Sequence, residues 1–179
     1  MCIQMIAQLI DDKIRDVPNF PSEGIVFKDI TPLLHDVVVR QLILNSFVEH
    51  IKPLEVDVLV GIESRGFLFG MLLANALKIP FVPIRKKGKL PGDVISQPYN
   101  LEYGSDVLEI QRESIAKGQR VLLHDDLLAT GGTAVASAQL INTLEAEVVA
   151  FAFVVELQFL NGKQLLNQYS KQIISLVSY

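Results

Sequence analysis

Apolar residues recur along this chain in two alternating rhythms. Ile3, Ile6, Ala7, Ile10 and Ile14 return at helical spacing, and Val17-Pro18 closes that first element because proline lacks the donor and the room to continue a helix. The same period predicts helices over about 37–51, 66–78 and 132–145. Between them stand short β-branched or apolar runs at 56–62, 80–84, 121–124, 148–155 and 173–177. Such runs have no polar alternation, so they read as strands buried on both faces. Strands of that kind separated by helices predict an α/β fold: a mostly parallel, doubly wound sheet flanked by helices. The stretch 86–119 breaks both rhythms. Gly88, Pro91, Gly92, Pro98 and Gly104 punctuate it, and it reads as an irregular insertion, which inside a compact domain is more often functional than decorative.

Composition narrows the function classes. At 179 residues, half of them hydrophobic, the chain can bury its own core, and no linker or low-complexity stretch divides it, so one domain over 1–179 is expected. The formal charge of −4 argues against a general nucleic-acid or anionic-membrane surface. Any anion must then be held by local clusters. Cys2 is the only cysteine, which rules out an intrachain disulfide and fits a reducing compartment. The first ten residues carry no basic leader, and the longest strictly apolar run, 148–155, is far short of the ~20 residues needed to span a bilayer. A cytoplasmic protein is expected. His35 and His50 show no metal-ligand spacing, and no Cys/His cluster offers a structural zinc site.

The densest chemistry lies at 121–133, where an apolar strand runs into Asp125 and Asp126 and then into Ala129, Thr130, Gly131, Gly132 and Thr133 at the start of a helix. A helix N-terminus at the carboxyl end of a strand offers unpaired N–H groups and a positive dipole end to a phosphate, and glycines let the backbone come close. Carboxylates touching that phosphate would repel it. Their natural partners a few ångströms away are ribose hydroxyls, which donate to ionised acceptors. A second loop, Gly61-Ile62-Glu63-Ser64-Arg65-Gly66-Phe67, follows the strand at 56–62. Phe67 and Leu68 stand where a P-loop needs Lys and Ser or Thr, and no Gly-x-Gly-x-x-Gly occurs, so neither common nucleotide fingerprint applies. What remains is Arg65 at a helix start, either a second anion cradle or an exposed side chain. A third cluster, Arg85-Lys86-Lys87-Gly88-Lys89, puts four cations in five residues at another strand end. Three strand ends meeting on one edge of the sheet would suit a ligand with a phosphate at one end and a diphosphate at the other.

These strings closely resemble the type I phosphoribosyltransferase family, in the form of its adenine-specific members. The resemblance spans about residues 14–160 and includes two further segments. Leu101-Glu102-Tyr103-Gly104 is similar to the family's mobile catalytic loop, here about 93–107, and 20–32 is similar to the hood over the base, here within about 1–35. The likeness implies transfer of a phosphoribosyl group from phosphoribosyl diphosphate to adenine, giving AMP and pyrophosphate, by a homodimer whose partners are these small-molecule substrates, with Mg²⁺ carried in by the diphosphate. It assigns Asp125, Asp126, Ala129, Thr130, Gly131, Gly132 and Thr133 to the sugar phosphate. Ser64, Arg65, Arg85, Lys86 and Lys89 go to the pyrophosphate, and Val26, Phe27, Lys28 and Leu157 to adenine. Glu102, Tyr103 and Arg65 take the catalytic roles, since a carboxylate beside an oxocarbenium-like carbon stabilises it or manages the purine proton. Two departures stand out: His124 replaces an aliphatic residue before the Asp pair and reads as a half-exposed spacer, and Lys28 replaces Arg. A transferase for another purine, or a regulator that binds the diphosphate without turnover, are the alternative readings.

Overall fold

The computed structural model describes residues 3–100 and 105–179. Its main sheet grows from the apolar runs. Strands β3 (Val58–Ile62), β4 (Phe81–Lys86), β7 (Arg120–Leu128), β8 (Glu147–Glu156) and β9 (Ile173–Ser178) form a parallel block, which β5 (Val94–Asn100) and β6 (Ser105–Gln111) extend at one edge. The order is β5-β6-β4-β3-β7-β8-β9. A separate two-stranded antiparallel sheet pairs β1 (Arg15–Pro18) with β2 (Val26–Asp29). The helices are α1 (Ile3–Asp11), α2 (Thr31–His35), α3 (Val37–Ile51), α4 (Gly66–Leu77), α5 (Gly132–Thr143) and α6 (Gly162–Leu166).

Strand alternation splits the core in two. Val58, Val60, Ile62, Val121 and Leu123 pack with Ala138, Ile141 and Leu166 of α5 and α6, while Leu59 and Leu122 point the other way to Ile10, Phe47, Phe69 and Leu73 of α1, α3 and α4. Helices therefore cover both faces of a mostly parallel sheet, the expected doubly wound α/β architecture. Asp36 starts α3 by accepting from Val38 N and Val39 N at 3.0 and 3.1 Å. Gly70 lets α4 approach the sheet, where an added Cβ would stand 3.0 Å from the Phe81 ring.

One expectation is corrected: 86–119 contains an ordered antiparallel pair. β6 runs against both β4 and β5, with Leu108 and Ile110 buried. Each contributes about 2 kcal/mol, enough to hold a strand whose other face carries a charge. That charge, the buried Glu109, accepts from Gly88 N at 2.8 Å and so ties β6 to the turn after β4. Among the described residues no helix is long and apolar enough to cross a membrane.

Candidate active site

The carboxyl ends of the parallel strands carry the site. A cavity of about 400 Å³ is lined by Glu63, Ser64 and Arg65 after β3, Lys86 at the end of β4, Tyr99 of β5, Asp125 and Asp126 of β7, and Thr133 of α5. The separate strand ends inferred from sequence thus share one space.

Asp125 and Asp126 belong to β7 itself, which continues to Leu128. Asp126 is 3 % exposed, and its Oδ2 lies 2.8 Å from Arg65 Nε. That oxygen is buried and pairs with the guanidinium by charge, with no hydrogen-bond donor directed at it among the described residues. A hydroxyl donor is the group such an oxygen lacks. Asp125 Oδ1 accepts from Asp126 N at 2.9 Å. Burial, and next the neighbouring Asp126 charge, push the Asp125 carboxyl well above the usual carboxylate range.

Beyond the Asp pair the chain turns through Ala129, Thr130 and Gly131 into α5. Gly131 has φ +86°, the left-handed region that favours glycine, and a Cβ there would also stand 2.9 Å from Gly162 O. Gly162 presses on the same turn from behind, its own virtual Cβ only 2.2 Å from Ala129 O. Asp125, Leu127 and Phe153, together with residues 129–133, line a smaller recess of about 80 Å³ at the α5 N-terminus. Gly162 was missed by sequence reasoning, because nothing local marks a glycine whose partner lies some thirty residues earlier.

The basic cluster divides. Lys86 lines the cavity and pairs with Asp106 at 2.8 Å, a hydrogen bond that raises its pKa against the opposing effect of burial. Arg85 and Lys89 turn instead to Glu63, which accepts from Lys89 Nζ at 2.5 Å, Lys86 N at 3.0 Å and Arg85 Nε at 3.2 Å. Burial pushes the Glu63 carboxyl up, but these donors outweigh it and hold it below its ordinary value. Glu63 and Tyr99 were also missed. A single acid beside a strand and an aromatic in a broken stretch give no distinctive signal.

On the small sheet, the Phe27 ring packs edge-on to Phe20 at 5.1 Å and carries the Arg65 guanidinium 4.9 Å from its centroid. Val26 is exposed beside it, and Leu157 follows β8 half-buried, its N–H donating to Leu128 O. Lys28 points elsewhere, pairing with Asp16 at 2.7 Å. His124 is fully buried, which corrects the half-exposed reading. It packs edge-on to Phe47 at 5.7 Å, its ring nitrogens have no hydrogen-bond partner, and burial lowers its pKa to about 4. Glu102 and Tyr103 lie outside the described residues.

Residues 34–175 match the phosphoribosyl transferase domain. An adenine phosphoribosyltransferase of Flavobacterium johnsoniae is 54 % identical over 160 residues, covering 89 % of this chain and 94 % of that one. The chain belongs to the adenine phosphoribosyltransferase family. A relative of the same description from Cytophaga hutchinsonii is 46 % identical over 176 residues, 98 % of this chain and 97 % of its own. Among solved structures, the adenine phosphoribosyltransferase of Saccharomyces cerevisiae, complexed with an imino-altritol bisphosphate and adenine, superposes with TM-score 0.92 at 42 % identity, covering 97 % of this chain and 99 % of that one. The Trypanosoma brucei enzyme, in complex with AMP, pyrophosphate and ribose-5-phosphate, gives TM-score 0.89 at 29 % identity, with 97 % and 79 % covered.

Proposed function

We propose that the protein transfers the 5-phosphoribosyl group from phosphoribosyl diphosphate to adenine, forming AMP and releasing pyrophosphate. The observation that carries this reading is the single cavity in which the Asp125–Asp126 pair, Arg65, Lys86 and the α5 N-terminus meet. Its charge map is a donor's charge map. Asp126 and Asp125 accept from the ribose hydroxyls, and the amides of Ala129, Thr130, Gly131, Gly132 and Thr133 hold the 5′-phosphate. Ser64, Arg65 and Lys86 face the diphosphate, with Arg85 and Lys89 held close behind by Glu63.

Phe27 stacks on the base, Leu157 covers its other side, and the main chain of Val26 and Lys28 reads its edge. Adenine presents an amino donor beside a ring acceptor, so a backbone C=O next to an N–H matches it and a 6-oxopurine does not. Glu102 and Tyr103 take the catalytic roles that the family likeness gives them, in which a carboxylate stabilises oxocarbenium-like charge at the reacting carbon. Much of the acceleration then comes from positioning and fixed charge, with little covalent work by the protein.

Mg²⁺ enters with the diphosphate. Among the described residues no cluster of three or more His, Cys, Asp or Glu forms a cage for it, whereas the hard carboxylate oxygens at the Asp pair fit an ion held mainly by the ligand. When bound it offsets the charge of the leaving group. A homodimer in the cytoplasm completes the proposal. The outward side chains Leu68, Met71 and Leu72 of α4 are exposed and apolar, a face suited to a second copy. The deciding experiment incubates pure protein with Mg²⁺, phosphoribosyl diphosphate and each purine in turn. AMP and pyrophosphate with adenine alone are expected; preference for a 6-oxopurine, or no nucleotide at all, overturns the reading.

A further inference from the structure

The two-stranded sheet that carries Phe27 shares no ladder with the main sheet. A lone pair of strands is marginal in water, so side-chain tethers decide where it sits. One tether runs through Tyr179. Its backbone is fixed at the end of β8, where Tyr179 N donates to Glu156 O at 2.9 Å and Tyr179 O accepts from Gln158 N at 2.8 Å. These two bonds bracket Leu157. The Tyr179 ring then extends under β2, with Lys28 Nζ 3.7 Å from its centroid, and its hydroxyl donates to the Asp11 carboxylate of α1. Lys28 is only 15 % exposed at its side chain and is held from the other side by Asp16 of β1. Burial, with Asp11 second, pushes the Tyr179 pKa up, so the phenol stays a donor and the ring stays neutral under the ammonium. A cation–aromatic contact shielded in this way is stronger than one in open water.

Phe27 immediately precedes Lys28, and Leu157 sits between the two residues that bond Tyr179. We propose that Tyr179 is a positioning residue for the base. Through Lys28 it sets the separation between the Phe27 wall and the Leu157 wall of the adenine slot. This rests on the assignment of adenine to that slot.

The test compares Tyr179→Ala, Tyr179→Phe, Lys28→Met and the Tyr179→Ala/Lys28→Met pair in steady-state assays with adenine and phosphoribosyl diphosphate varied separately. Tyr179→Ala is expected to raise KM for adenine about tenfold, leaving kcat and the KM for the diphosphate within about twofold. Tyr179→Phe keeps the ring and stays near wild type. Lys28→Met raises the adenine KM too, and the double variant adds little to either single change, because both remove one contact. Partial unfolding lowers apparent kcat but leaves KM readable. An unchanged adenine KM in Tyr179→Ala, equal shifts in both KM values, or a Tyr179→Phe variant as impaired as Tyr179→Ala overturns the proposal. Wild-type protein that makes no AMP from adenine overturns the functional assignment, and this inference with it.

Discussion

Arg65 Nε lies 2.8 Å from Oδ2 of Asp126, which joins the turn after β3 to the end of β7 across the mouth of the cavity. The contact pairs a buried carboxylate oxygen with a cation and leaves it without a hydrogen-bond donor among the described residues. Replacing Asp126 by Asn keeps its shape but removes the charge that a hydroxyl would meet. The expected result is a fall in kcat/KM for phosphoribosyl diphosphate of about a hundredfold, since charge-assisted hydrogen bonds are worth roughly 1.5–3 kcal/mol. Arg65→Gln leaves the Asp126 carboxylate without its cation. Because the Arg65 side chain is 39 % exposed, the stability loss is screened to about 1 kcal/mol, measurable by urea unfolding, while turnover falls far more.

Gly162→Ala tests the support behind the phosphate turn. A Cβ 2.2 Å from Ala129 O cannot be accommodated without moving one backbone or the other. Overpacking of this kind costs about 2 kcal/mol. A lower thermal midpoint together with a higher KM for phosphoribosyl diphosphate is expected; an unaltered KM would separate Gly162 from the turn.

His124→Val should retain most activity, because the imidazole is buried away from the cavity. The variant should also change how stability depends on pH. His124 titrates at about 4 when folded against an ordinary 6.5, so the unfolded chain binds a proton that the folded state refuses. Stability from this group is complete above about pH 6.5 and falls as pH drops toward 4, by up to about 3 kcal/mol. Urea unfolding at pH 7, 5.5 and 4.5 should show the variant gaining on wild type as the solution becomes more acid. A constant difference would mean that the imidazole is not held neutral. Asp29, held at about 2 chiefly by its hydrogen bond to Thr31, loses its contribution only below about 3.8, outside that window.

Glu63→Gln separates Arg85 and Lys89 from their common acceptor. Donors from three residues converge on this carboxylate, so the neutral amide weakens the whole turn and lets the two cations scatter. An increased KM for phosphoribosyl diphosphate that grows with ionic strength is expected from steady-state assays over a salt series.

Leu68→Glu/Met71→Glu places two charges on the exposed apolar side of α4. If that face joins two copies, light scattering should report a shift from dimer to monomer. A wild-type protein that already runs as a monomer removes the proposal.

The helices α3, α4 and α5 and the central strands were legible because period and burial agree there; the unbroken apolar run at 148–155 became the middle of β8. The β5–β6 pair was not. Pro98 and Glu109 interrupt the alternation, and β6 is held by long-range pairing and by the turn at Gly88, neither of which a local window contains. The Asp pair and glycine turn were readable as a unit because their chemistry is contiguous. The basic cluster was readable as charge but not as geometry. Glu63, more than twenty residues earlier, decides that Arg85 and Lys89 face it while Lys86 faces the cavity.

The small sheet stands apart from the main one, joined to it by side chains and flanking chain instead of by a ladder. In the proposed function Val26, Phe27 and Lys28 of this small sheet meet the base, whereas the donor is met by the strand ends of the main sheet, with the Arg65 guanidinium against the Phe27 ring as the link between the two. On that proposal, a change of preferred nucleobase can arise by remodelling residues 15–29 while the strand ends assigned to the pentose remain as they are.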